Sequence, residues 1–158
     1  EGQGSSSTNT AVYLAKNKQR LDLTTDSIHV GKNTSSKIVT KGVINDQAKA
    51  LSRGLVKINK NASESNGYET QDALLLSDKA EADAIPNLEI HNPDVKCSHG
   101  STVGQIDKEI VFYLMSRGLT KKQAVQKIVE GYFTPIYSKF KDEQLAEKIQ
   151  KAVVEAMA

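Results

Sequence analysis

The chain has 158 residues, with 21 Lys plus Arg against 19 Asp plus Glu, for a net charge of +2. That balance speaks against a nucleic-acid or anionic-membrane partner, which asks for a basic excess on one face. No apolar run approaches the ~20 residues of a membrane-spanning helix. With 38% hydrophobic and 25% charged residues, the composition is globular, enough for one domain or one domain with an appendage. The Gly/Ser/Thr-rich start, without Met and without a signal-peptide pattern, reads as part of a longer or processed chain. The one cysteine, Cys97, cannot form an internal disulfide. A reducing compartment is therefore expected, and the Asn-x-Ser sequons at Asn33 and Asn61 carry no glycan there.

Up to Gly104 the apolar residues come in short, often β-branched runs. They are Ser27-Ile28-His29-Val30, Lys37-Ile38-Val39-Thr40, Gly42-Val43-Ile44, Gly54-Leu55-Val56-Lys57-Ile58, Ala73-Leu74-Leu75-Leu76 and Leu88-Glu89-Ile90. Several alternate, as half-buried strands do. Turn formers separate them: Gly31-Lys32-Asn33, Asn45-Asp46, Asn59-Lys60-Asn61, Asn66-Gly67 and Asn92-Pro93-Asp94. This is a mainly β region that leaves a sandwich, a barrel and a solenoid open. Two features lean toward the solenoid. Only Tyr13 and Tyr68 are aromatic here, which suits a narrow interior of stacked aliphatics. Only Asn66-Gly67 has the form of a tight hairpin turn. The spacing of the runs is uneven and defines no repeat.

After Gly104 the period turns helical. Ile106, Ile110 and Leu114 share one face. Gly118 with Leu119 has the form of a C-cap with its hydrophobic partner. Thr120 and Gln123 stand at capping-box spacing before a helix with Ala124, Val125, Ile128 and Val129 inward, expected to end at Gly131. Pro135 blocks simple continuation. A third helix from about Asp142 carries Leu145, Ile149, Val153 and Met157 as its stripe. Six of the eight aromatics lie in this part, as a core of its own or as a docking surface. The expected division is 1–105 for the β region and 106–158 for a helical subdomain.

The search for chemistry excludes more than it finds. Gly31-Lys32-Asn33 lacks the upstream Gly and the hydroxyl of a phosphate loop, and there is no Gly-x-Ser-x-Gly elbow. His29, His91 and His99 lack the short spacings of a zinc site. One constellation stands out: Asp94-Val95-Lys96-Cys97-Ser98-His99-Gly100. In a strand, Cys97 and His99 share a face, and a thiolate with an imidazole can ligate a soft or borderline metal. Two ligands do not hold an iron–sulfur cluster, which takes four, so further ligands would have to come from another chain. The same spacing also describes a buried Cys beside a hydrogen-bonded strand His. A carbohydrate-active β-helix would need converging carboxylates. Glu69, Asp72, Asp78 and Glu81 are the nearest candidates and have no distinctive spacing.

Residues 75–83, 86–90 and 94–104, the last containing Cys97-Ser98-His99-Gly100, closely resemble the end of the SufB/SufD core domain. Phe112-Tyr113-Leu114-Met115-Ser116-Arg117-Gly118-Leu119 is similar to the start of that family's C-terminal helical domain. Leu21-Asp22-Leu23 and Lys41-Gly42-Val43-Ile44 also fit. The resemblance implies a right-handed parallel β-helix followed by an α-helical subdomain. It implies a non-catalytic scaffold subunit of an iron–sulfur cluster assembly complex, cytoplasmic or in a plastid stroma. Such a subunit pairs through its β-helix with a SufB-like or identical subunit and docks a SufC-like ABC ATPase through its C-terminal helices. A transient cluster forms at the subunit interface. The Cys-Ser-His-Gly segment looks more like the SufD form, which gives His99, and less strongly Cys97, a ligand role there. A β-solenoid interaction module without a metal role is the alternative.

Overall fold

A computed structural model describes residues 2–140 and 142–157. The chain divides into two compact units, Glu1–Gly104 and Gln105–Ala158. The first is a parallel β-solenoid of about three turns. Its strands are β1 Ser6–Ala15, β2 Arg20–His29, β3 Ser35–Ile44, β4 Lys49–Ile58, β5 Ser65–Leu75, β6 Glu81–Ile90 and β7 Val95–Gln105. Odd strands form one sheet in the order β1-β3-β5-β7, and even strands a second in the order β2-β4-β6. Ser6 faces Ser35 and Ser35 faces Asn66, so the register advances by 29 and then 31 residues in the first sheet. Arg20 faces Lys49 and Lys49 faces Glu81, an advance of 29 and then 32 in the second. The repeat that the sequence did not define is therefore real, with turns of unequal length hiding its period.

The strands run 10 or 11 residues, longer than the apolar runs that announced them, because the interior is only partly aliphatic. Its two corners hold the hydrophobic clusters. One contains Tyr13, Ala15, Ile44, Ala48, Ala50, Ala73 and Ala80, the other Ile38, Val56, Ile58 and Ala62. Between them the inward positions carry buried Thr40, Ser52, Glu69 and Gln71. These polar residues interrupt the hydrophobic pattern without interrupting the backbone ladder. The Asn66-Gly67 hairpin expectation is corrected for the same reason. Both residues lie inside β5, and Gly67 is inward, where an added Cβ would sit 2.5 Å from Val56 Cγ1. The missing side chain here makes room for a neighbour rather than a turn. Outside, Lys49–Glu81, Arg53–Asp22 and Lys57–Glu89 pair charges between successive rungs. Each pair contributes about 0–1 kcal/mol at most, and together they keep like charges from stacking.

The solenoid turns its corners on left-handed residues. Asn17 (φ 61°) and Asp46 (φ 56°) are stacked at one corner, where Asp46 Oδ2 accepts from the Asn17 N–H at 2.8 Å. Asn33 (φ 55°) and Glu64 (φ 59°) repeat the arrangement at the other corner, bonding to the following rung through Asn33 N–H to Ser63 O and Glu64 N–H to Asp94 O. Asn and Asp tolerate this conformation, whereas Glu bears about 1–2 kcal/mol of strain. Glu64→Asn is therefore expected to stabilise the solenoid by about 0.5–1 kcal/mol, read as a higher urea midpoint at unchanged m-value.

The second unit has α1 Lys108–Ser116, α2 Lys121–Tyr137 and α3 Glu143–Met157. Asp107 caps α1 by accepting from the Glu109 and Ile110 N–H groups. At its other end Gly118 (φ 97°) closes a Schellman turn, with Leu119 N–H donating to Leu114 O and Gly118 N–H to Met115 O. The capping box of Thr120 and Gln123 is formed in full. Two expectations are corrected. Val111, not Ile110, is the buried residue of α1, and Ile110 is 48% exposed. Helix α2 does not end at Gly131 but runs through Pro135 to Tyr137. The carbonyl that Pro135 leaves unbonded is that of Gly131, which has no side chain to add to the crowding. Buried Phe133 and Ile136 on either side of the proline hold the last turn in place. In α3, Val153 is buried and Ile149 half-buried; the side chain of Met157 lies outside the described residues. Among the described residues no helix is long and apolar enough to cross a membrane.

Candidate functional site

Strand β7 is the last of its sheet and has a neighbour, β5, on one side only. From Ser98 to Val103 it is exposed on both faces. This edge carries Cys97 and His99, which point to the interior side of the solenoid two residues apart. Cys97 is half-buried and joins the aliphatic corner with Val95, Leu88 and Val56. Its seat exists because Gly67 lies beneath it: a Cβ there would come within 2.8 Å of Sγ. Burial pushes the thiol above its usual range, and a backbone hydrogen bond from Gly67 draws it partly back. Cys97 is thus held as a thiol in apolar surroundings, a poorer nucleophile and ligand than a thiolate. His99, by contrast, is exposed.

Behind this edge lies one of the four carboxylates that the sequence offered as candidates for a cleft. Glu69, on β5, is 0% exposed. Its Oε1 accepts from Gln71 Nε2, while Glu69 Oε2 and Gln71 Oε1 have no hydrogen-bond partner. The carboxyl reaches across the interior into the space left open by Gly54, where a Cβ would stand 1.4 Å from Oε1. Burial raises the Glu69 carboxyl first of all; the Gln71 hydrogen bond and then the His99 charge draw it down.

The structure disperses the other candidates. Asp72 lies 3.6 Å from Lys41 on the outer face, Glu81 pairs with Lys49 on the other sheet, and Asp78 sits in a turn. With Glu69 inside, the four carboxylates form no common cleft. His91 Nε2 is 2.8 Å from Glu89 Oε1, which Lys57 also contacts. The lysine, then the histidine, hold that carboxylate below its usual range. His29 is buried at the opposite end of the solenoid stack. Among the described residues, no three His, Cys, Asp or Glu side chains are placed to hold a metal ion. Alternation alone could have found Glu69, since Ser65, Gly67, Glu69, Gln71 and Ala73 share the inward side of β5. With scarcely an aliphatic residue among them, that side does not read as a core.

Comparison with known proteins accounts for this architecture. The family model described as SUF system FeS cluster assembly, SufBD core domain, matches residues 1–132. The chain is 33% identical over 137 residues to the iron-sulfur cluster assembly SufBD family protein ABCI8, chloroplastic, of Arabidopsis thaliana, covering 87% of this chain and 25% of the relative. It is 32% identical over 152 residues to the iron-sulfur cluster assembly protein SufD of Bacillus subtilis, covering 96% and 35%. It is 37% identical over 115 residues to the SufD protein of Escherichia coli, covering 73% and 27%. The chain thus spans about a quarter to a third of the length of these relatives. With a β-solenoid that carries the Cys-Ser-His-Gly edge and a matching family model over most of its length, the chain belongs to the SufB/SufD family.

Proposed function

We propose that this chain is the working C-terminal part of a scaffold subunit in iron–sulfur cluster assembly, with no turnover of its own. In this reading residues 1–105 are the pairing domain. The unpaired edge of β7 adds to a second β-helix subunit, SufB-like or identical. The nascent cluster is cargo at that junction, and this chain contributes His99. The single observation that carries the reading is an exposed histidine, one strand position-pair from a cysteine, on a sheet edge without a neighbour. Such an edge is a template for strand addition, and a site with two donors per chain needs a second chain to reach the four ligands of a cluster. The packing of Cys97 in the aliphatic corner favours a structural role for that residue and leaves His99 as the stronger ligand.

Residues 106–158 are the docking domain for a SufC-like ABC ATPase. Phe112 is 72% and Tyr113 55% exposed on α1, more apolar surface than a free helix usually shows. Helix α2 opens with Lys121 and Lys122 and has no acidic residue in its first turn, an arrangement unfavourable to the helix dipole and suited to an acidic partner.

The test is the mass of the full-length protein mixed with its genome's SufC-like ATPase, by size exclusion with light scattering. A stable complex weakened by Lys121→Glu with Lys122→Glu is expected. No complex in any nucleotide state would leave an interaction module of another kind. Within the complex, His99→Ala is expected to abolish cluster formation, read as loss of visible absorbance in anaerobic reconstitution, at unchanged mass. Unchanged reconstitution would remove His99 from the site. Cys97→Ser should have the smaller effect.

A further inference from the structure

The imidazole of His29 is 4% exposed, and both its nitrogens are engaged. Nδ1 lies 2.7 Å from Thr34 Oγ1 and Nε2 2.7 Å from Ser36 Oγ. His29 closes β2, and Ser36 lies near the start of β3, so these contacts pin the first rung to the second at one corner. Thr34 Oγ1 is also 2.8 Å from Ser65 Oγ, which accepts from the Thr34 N–H at 3.2 Å. The network thereby reaches a third rung. Beside it lies a cavity of about 180 Å³ lined by Ser6, Ser7, Ser27, Thr34 and Ser36, among others.

Among the described residues, the groups that bond the ring or line the cavity beside it are uncharged. From β1 come the hydroxyls of Ser6 and Ser7, from β2 Ser27, from the corner and β3 Thr34 and Ser36, from β4 Ile58, and from β5 Ser65. The nearest charged residues along the chain, Asp26, Lys32 and Lys37, are exposed, as is Glu64 on the neighbouring corner. A neutral imidazole donates one hydrogen bond and accepts one, whereas an imidazolium must donate both. Thr34 can turn its O–H toward Gly31 O at 3.3 Å or toward Ser65, so the network has room for the extra proton. Among the described residues the network includes no carboxylate to offset the charge, and a buried unpaired charge is costly.

We propose that His29 is an acid-release latch: its protonation loosens the corner that pins β2 to β3, and that corner opens ahead of the strands it joins. Burial holds the ring below its usual value, so the folded state binds a proton less readily than the unfolded chain. The stability the latch confers is full above about pH 6.5. It is lost as the pH falls from there through the lowered folded value.

Hydrogen exchange read by mass spectrometry at about pH 7.5 and about pH 5.5, corrected for intrinsic rates, tests this on the whole chain. Amides of residues 29–36 are expected to open several-fold more in acid. In His29→Gln, which keeps a neutral hydrogen-bonding side chain, the two conditions should agree. Equal acid opening in both proteins overturns the latch. Should the variant fail to fold, nitrogen and carbon shifts of the His29 ring decide in the unsubstituted chain. Titration below the ordinary imidazole value of about 6.5 supports the latch, and titration at or above it overturns it.

Discussion

Gly54→Ala is expected to lower the urea midpoint of the solenoid by on the order of 1 M, a loss of about 1–3 kcal/mol. The added methyl would stand 1.4 Å from Glu69 Oε1 and 2.7 Å from Gln71 Nε2. Both of those side chains end in flexible groups, which ordinarily yield. Here they are 0% and 2% exposed, so neither has solvent to turn into. The strain then passes to the stacked rungs, because close-packed interiors transmit what they cannot absorb. Gly100→Ala is the matched comparison: nothing lies within 4 Å of its Cβ position, and its midpoint should stay level or rise slightly. A second comparison isolates the cause. In a Glu69→Ala background the Gly54→Ala penalty should shrink, since the obstructing atom is gone, and a coupling near zero would place the damage elsewhere.

Glu69→Gln should make the solenoid more stable at about pH 8, by about 1–3 kcal/mol, the cost typical of a buried polar group without partners. The gain should fade toward about pH 4. The carboxyl is raised by burial, so the folded chain keeps the proton after the unfolded chain has released it. Between about pH 4.3, where a free Glu titrates, and the higher folded value, stability therefore falls as pH rises. Glutamine never ionises and is exempt. The measurement is the difference in midpoint between the two proteins across that range. Two curves that run parallel would show that the carboxyl takes up its proton alike in the folded and unfolded chain, with Gln71 and His99 offsetting burial in full.

The two substitutions touch the part of the fold that sequence reading missed. The corners were legible. Gly31-Lys32-Asn33, Asn45-Asp46, Asn59-Lys60-Asn61 and Asn92-Pro93-Asp94 all fall between strands, because residues that accept φ > 0 or fix φ announce a change of direction. The helix caps at Gly118 and Thr120 were legible for the same local reason. What lies between corners depends on which residues face one another across 29 to 32 positions, and that is not local. Gly67 had the form of a turn residue, yet it is a seat for Cys97. Glu69 was weighed as one of four candidate carboxylates for a cleft, yet it fills the space above Gly54. Pro135 had the form of a helix stop, yet tertiary packing of Phe133 and Ile136 carries α2 past it. Of the candidate site, the spacing of Cys97 and His99 could be read directly. Their different surroundings, a thiol in an aliphatic corner and an imidazole in the open, could not.

The parallel register also governs when the molecule takes shape. Every lateral bond of the solenoid joins residues about 30 apart in sequence, so no hairpin can form early and wait for the rest. A ribosome adding about 5–20 residues per second delivers one turn in roughly 1.5–6 s. Each strand remains without its later neighbour for that interval, and contacts of such separation are slow to close. Growth is therefore vectorial, one layer on the last. In that order β7 is laid down last of the described strands, after the β5 against which it pairs, and its other edge has no strand of this sheet beside it among the described residues.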